Sequence, residues 1–155
     1  MDIRVEEIAE SAQKSKIAEE ILRELPDWFS LEDGITKYVD GVKNKPFFVA
    51  KIDGAAVGFA SVERHGEYSS EIYVMGVKPE QRGVGVGRKL IDYIWNQNKK
   101  IGGRFLIVKT LDQSAGDKFY EQTRKFYFKM GFLPLFSTTE IWGEENPCVV
   151  MIKTS

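Results

Sequence analysis

The order of patterns along this chain predicts an α/β fold, a mixed sheet with helices on both faces. Three stretches carry that expectation. Residues 71–95, E-I-Y-V-M-G-V-K-P-E-Q-R-G-V-G-V-G-R-K-L-I-D-Y-I-W, read as a strand, a glycine turn and an amphipathic helix. Residues 105–108, F-L-I-V, form a short continuous apolar run, as expected of a central strand buried on both faces. Residues 126–132, F-Y-F-K-M-G-F, read as a helix stopped by glycine with a strand starting after it. At 155 residues the chain is expected to be one domain, 1–155, with room for a proper core.

Taken in order, Ile3, Val5 and Ile8 suggest a first strand. A helix opens near Ser15, because Ile17, Ala18, Ile21, Leu22 and Leu25 recur at helical spacing, and Pro26 closes it. Ser30 is placed as the N-cap of a second helix, with Asp33 three residues on, and Ile35, Tyr38, Val39 and Val42 follow. Residues 46–52 and 56–62 are strands joined by a hairpin at Asp53-Gly54. Residues 64–67 turn the chain into the strand at 71–77, which Pro79 ends because it has no N–H to give a ladder. Leu90, Ile91, Ile94 and Trp95 stripe the helix after the glycines. A polar loop at 111–118 precedes a helix at 119–130, with Gly131 as its C′ residue. Strands at 132–138 and 147–152 complete the chain.

Composition narrows the function classes. Twenty-two basic residues against twenty-three acidic ones give a net charge of −1, which offers no general attraction to nucleic acid or an anionic membrane. No run approaches the roughly 20 apolar residues of a membrane span. The N-terminus is acidic and lacks the apolar region of a signal peptide, so the cytoplasm is the expected location. Cys148 is the single cysteine, which rules out an internal disulfide; it reads as a small core residue. His65 is the single histidine and sits in a turn, so no metal site is expected.

The chemistry begins at the glycines. Gly83, Gly85 and Gly87 stand at the mouth of a helix, where the backbone can approach a ligand and the first N–H groups have no internal acceptor. The partial positive charge of the helix terminus, with Arg82, Arg88 and Lys89, suits phosphate oxygens. Gly87 is followed by Arg88-Lys89, not by the Lys-Ser/Thr of a nucleotide P-loop. The G-x-G-x-G spacing also departs from the dinucleotide G-x-G-x-x-G. What remains is R-x-x-G-x-G at Arg82, Gly85 and Gly87.

With that motif, and with F-Y-F-K-M-G-F about forty residues downstream, the chain resembles the GNAT superfamily of acyl-CoA-dependent N-acyltransferases from roughly residue 46 to 132. The resemblance implies a mixed, largely antiparallel central sheet of six to seven strands flanked by about four helices. It also implies acetyl-CoA as cosubstrate and an amine, on a small molecule or a protein, as acceptor. A homodimer would fit the habit of relatives. The alternative reading is a non-catalytic acyl-CoA sensor or assembly module, which needs neither Glu71 nor Tyr127.

Residue by residue, the resemblance implies that the pyrophosphate lies on the backbone of Arg82, Gly83, Val84, Gly85, Val86, Gly87 and Arg88. The pantetheine arm would add to the strand at Met75 and Val77, and Gly76 would ease the bend that makes room for it. Glu71 matches the glutamate that acts as base in histone-type members, and it shares a strand face with Tyr73, Met75 and Val77; a partly desolvated carboxylate suits that role. Tyr127 matches the family tyrosine that meets the coenzyme A sulfur, since a phenol of pKa about 10 keeps its proton at neutral pH. Seven residues before it the family often has an asparagine on the pantetheine; here Tyr120 stands there. Trp28, Phe29 and Tyr73 are candidates for the acceptor pocket, with Tyr38 and Trp142 beside them, and their aromatic faces would favour a cationic or apolar amine.

Overall fold

The first strand, β1 (Ile3–Glu7), pairs antiparallel with β2 (Phe47–Ile52), which in turn pairs antiparallel with β3 (Ala55–Arg64). The structure is a computed structural model and describes residues 2–154. Asp53 and Gly54 close the β2–β3 hairpin with φ of 51° and 80°, the left-handed pair that a tight two-residue turn requires. Between β1 and β2 lie α1 (Ser11–Arg23) and α2 (Glu32–Gly41). After β3 come β4 (Ser69–Val77), α3 (Val86–Lys100), β5 (Phe105–Leu111), α4 (Lys118–Lys129), β6 (Leu133–Thr138) and β7 (Cys148–Lys153). The seven strands form one mixed sheet in the order β1-β2-β3-β4-β5-β7-β6, as expected for strand number and helix count. None of the helices among the described residues is long and apolar enough to cross a membrane.

Contacts divide the chain into two compact units, one holding Met1–Glu63 and Tyr73–Gln97, the other Arg64–Ile72 and Asn98–Ser155. In the first unit, Ile17, Ile21 and Leu22 of α1, Ile35 of α2, Phe47 and Val49 of β2, Phe59 of β3 and Val74 of β4 make one buried cluster. Phe47 and Phe59 stack with centroids 5.3 Å apart. Burial of each such side chain stabilises by about 1.5–3 kcal/mol. In the second unit, β5 pairs antiparallel with β7 from Leu106↔Lys153 to Leu111↔Cys148, and β6 pairs antiparallel with β7. β4 runs parallel to β5 over Ser69↔Phe105, Ser70↔Leu106 and Glu71↔Ile107.

Four local expectations need correction. α1 begins at Ser11, four residues early, because the Glu10 carboxylate accepts from the Gln13 N–H and caps it. Ser15 is inside the helix, donating its hydroxyl to the Val39 carbonyl and tying α1 to α2. Ser30 is not an N-cap: Leu31 holds that place with no side-chain bond, and Glu32 and Asp33 occupy the first turn. Arg23 holds Glu32 there at 2.7 Å, and that hydrogen bond pulls the Glu32 carboxyl below its usual range. β5 is central but alternates, with Leu106, Val108 and Thr110 buried and Ile107 and Lys109 only half-buried.

Candidate active site

The glycine turn belongs to the first unit and follows a single 3₁₀ turn at Pro79–Gln81. Gly83 and Gly85 have φ of +77° and +97°, a conformation that side-chain-bearing residues resist, and a Cβ on Gly83 would meet nothing within 4 Å. The turn is therefore glycine-dependent and open. The Gly85 carbonyl accepts from the Lys89 N–H at 3.0 Å, so α3 starts at Val86 and Gly87 lies inside its first turn. Gly87 is thus a helical residue, not a third loop glycine. The N–H groups of the first helical turn have no intrahelical acceptor, and Arg82, Arg88 and Lys89 are exposed around them. Those features fit a pyrophosphate.

Two contacts hold this turn. Val86 is 1% exposed and faces Gly58 of β3, where an added Cβ would stand 2.8 Å from Val86 Cγ1 and 3.2 Å from the Gly76 carbonyl oxygen. Gly58 therefore lets the head of α3 sit directly on the sheet. The Arg82 guanidinium lies over the Trp28 ring at 4.2 Å. Gly76 is needed for packing: a Cβ there would meet Leu25 Cδ1 at 3.0 Å and Ile21 Cγ2 at 3.2 Å.

Trp28, Phe29 and Tyr73, read as acceptor-pocket candidates, are partly buried against the first unit's core. Phe29 meets Tyr38 edge-on at 5.8 Å, and Tyr38 meets Tyr73 edge-on at 5.3 Å. Lys45 Nζ stands 4.3 Å from the Tyr73 ring centroid. Burial raises the Tyr73 phenol above its ordinary value. Trp142, by contrast, is exposed, in the connection between β6 and β7. Met75 and Val77 are half-buried along the end of β4.

The acid–base candidates belong to the second unit. Glu71 is 7% exposed, a carboxylate that burial would penalise unless it is partnered. It is partnered twice at Oε1: His65 Nε2 lies 2.6 Å away and Lys109 Nζ 3.3 Å away. His65 lies in the turn as expected, but the expectation that no second ligating group accompanies it is corrected, because the Glu71 carboxylate stands beside its ring. Neither partner was legible beforehand: His65 is six residues from Glu71 across a loop, and Lys109 reaches it only through the parallel β4–β5 register.

Tyr127 lies in the last turn of α4, and the F-Y-x-x-x-G-F frame has a physical basis there. Gly131, at φ +94°, takes the C′ position, and its N–H donates to the Phe128 carbonyl. The Phe132 N–H donates to the Tyr127 carbonyl, and the two rings pack edge-on at 5.4 Å. That Schellman closure fixes the Tyr127 backbone. Burial, with a smaller contribution from the Tyr120 phenol, pushes Tyr127 far above the ordinary tyrosine value, so it keeps its proton at any physiological pH. Tyr120 sits in the first turn of α4, where its N–H and that of Phe119 are accepted by Asp117 Oδ1. Cys148 is fully buried on β7, and burial raises its thiol, which suits a core residue and not a nucleophile.

The first unit offers a glycine turn open at the head of a helix, and the second a buried carboxylate and a protonated phenol, groups that acyl transfer from coenzyme A would use. The family model for the acetyltransferase (GNAT) domain matches residues 43–134, and the chain belongs to that family. Over 69 residues it is 36% identical to mycothiol acetyltransferase of Actinosynnema mirum, an alignment spanning 44% of this chain but only 19% of that protein. Its fold is that of a GNAT-family protein from Desulfovibrio desulfuricans, with a TM-score of 0.84, 16% identity and 99% of each chain covered. It also matches an aminoglycoside 6'-N-acetyltransferase complexed with coenzyme A, with a TM-score of 0.76, 18% identity, and 97% and 96% coverage.

Proposed function

We propose that this protein moves an acetyl group from acetyl-CoA to a primary amine by direct attack in a ternary complex. The observation that carries the reading is the turn at 82–85, whose two left-handed glycines open onto the head of α3. Backbone N–H groups from Gly83 to Arg88 hold the pyrophosphate, and the side chains of Arg82 and Arg88 balance its charge. Met75 and Val77 offer strand backbone to the pantetheine arm, in the part of β4 beyond the residues registered with β5. The thioester supplies an activated acyl carbon.

Glu71 removes a proton from the acceptor ammonium, which frees the nitrogen lone pair for attack. Lys109 Nζ, 3.3 Å from Glu71 Oε1, pairs the buried carboxylate and holds it in place. Tyr127 donates its proton to the departing thiolate, burial having kept that proton in place, and the phenol is restored by the second N–H proton that the acylated nitrogen sheds as the amide forms. Aromatic faces at Trp28, Phe29 and Tyr73 favour an apolar or cationic amine, on a small molecule or a protein.

The experiment is calorimetric titration with acetyl-CoA against ATP and NAD, followed by thiol release with a panel of amines. Selective micromolar acetyl-CoA binding with amine-dependent thiol release is expected; absence of acetyl-CoA binding overturns the reading. Glu71→Gln should lower kcat about a hundredfold, within the range for a general base. An unchanged rate removes Glu71 from the chemistry.

A further inference from the structure

A buried base must return its proton to water before it can act again, and the surroundings of Glu71 provide a route. Glu71 has 9% of its side chain exposed, whereas the His65 side chain bonded to it at 2.6 Å is 40% exposed. The imidazole therefore reaches solvent from the carboxylate that does not. Lys109 Nζ lies 3.3 Å from the same oxygen, so Oε1 is held between the lysine and the ring. Imidazole is the side chain suited to accept and release a proton near neutral pH. The His65 backbone is itself held, its N–H donating to the Ser69 carbonyl at 3.0 Å.

We propose that His65 is the proton exit for Glu71, an inference that rests on Glu71 being the base. The ammonium proton passes to Glu71. It then moves from Oε1 to His65 Nε2, which makes the ring an imidazolium and restores the carboxylate. The imidazolium releases one proton to water, so each turnover carries one proton from the amine to solvent. His65 acts on the reaction through Glu71 and touches neither substrate.

The test compares His65→Ala and His65→Gln with the wild type, using thiol release with acetyl-CoA and the best acceptor from the amine panel. Glutamine can still donate a hydrogen bond to Glu71 but cannot relay a proton. Both variants should bind acetyl-CoA normally by calorimetry and melt near the wild-type temperature, with kcat about tenfold lower. Added imidazole should restore His65→Ala toward the wild-type rate. The proposal is overturned if His65→Gln keeps the wild-type rate, since His65 then only positions Glu71, or if imidazole restores nothing. Glu71→Gln separates the two readings. If it retains full rate, the base assignment fails and the exit with it; if it is slow while both His65 variants are fast, only the exit fails.

Discussion

Gly58→Ala adds one methyl group at the point where α3 meets β3, and its cost can be worked from the contacts. The new Cβ would lie 2.8 Å from Val86 Cγ1, 3.2 Å from the Gly76 carbonyl oxygen and 3.4 Å from Leu90 Cδ1. Carbon pairs rest at about 3.5–4.0 Å, so Val86 must retreat by roughly half an ångström or more. A β-branched residue cannot do this by changing rotamer freely, and Val86, 1% exposed, has little space to turn into. The head of α3 must lift. Overpacking of this kind costs about 1–3 kcal/mol, and replacing a strand glycine recovers about 0.5–1 kcal/mol. A net loss of about 1–2 kcal/mol should lower Tm by about 3–6 °C in a chain of this length. Because the lifted residue begins the helix whose N–H groups are proposed to seat the pyrophosphate, acetyl-CoA should also bind about fivefold more weakly, roughly 1 kcal/mol. Thermal melting and calorimetry read the two effects separately. Unchanged Tm together with unchanged Kd would refute the account of Gly58 as the seat of α3.

Tyr127→Phe should lower kcat about 10- to 100-fold while leaving the Kd for acetyl-CoA nearly unchanged; an unaltered kcat would remove Tyr127 as the acid. The same variant bears on stability at high pH. Burial raises the Tyr127 phenol, so the folded state keeps that proton longer than the unfolded chain, and the stabilisation is complete below about pH 10 and lost as pH rises above it. Wild-type Tm should therefore fall in alkali more steeply than that of Tyr127→Phe, which melting across pH 9–11 would check by about one degree-scale comparison per pH step. Trp28→Ala removes the ring under Arg82, a contact worth about 0.5–1 kcal/mol, so acetyl-CoA should bind about two- to fivefold more weakly. Equal affinity in calorimetry would leave Trp28 a packing residue alone.

Local signals were strong wherever the chain's chemistry is local. The glycines at 83 and 85 mark a left-handed turn because other residues resist positive φ, and the apolar stripe after them marks α3 because the helical period is fixed. The Asp53-Gly54 hairpin follows from the same preference. The F-Y-x-x-x-G-F frame was legible because a C′ glycine and the packing of Tyr127 on Phe132 are set within seven residues. Those stretches were enough to place the family and the glycine turn at the head of α3.

Tertiary structure decided what depends on neighbours distant in sequence. The starts of α1 and α2 differ from expectation because Glu10 accepts the Gln13 N–H of α1, and because Arg23 holds Glu32 in the first turn of α2. Gly87 could be told from Gly83 and Gly85 only once the helix start was known, since three alternating glycines look alike in sequence. Gly58 carries no motif, and its importance comes from Val86, which the fold brings against it. Glu71 could be named from its strand, but its charged environment could not. Lys109 is thirty-eight residues away and meets Glu71 through a parallel register, a pairing that no local pattern encodes. Sequence by itself determined the family and the glycine turn ahead of α3, because backbone preference and helical period act between near neighbours. Only the fold assembled His65, Glu71 and Lys109, because ion pairing acts between groups that the chain brings together last.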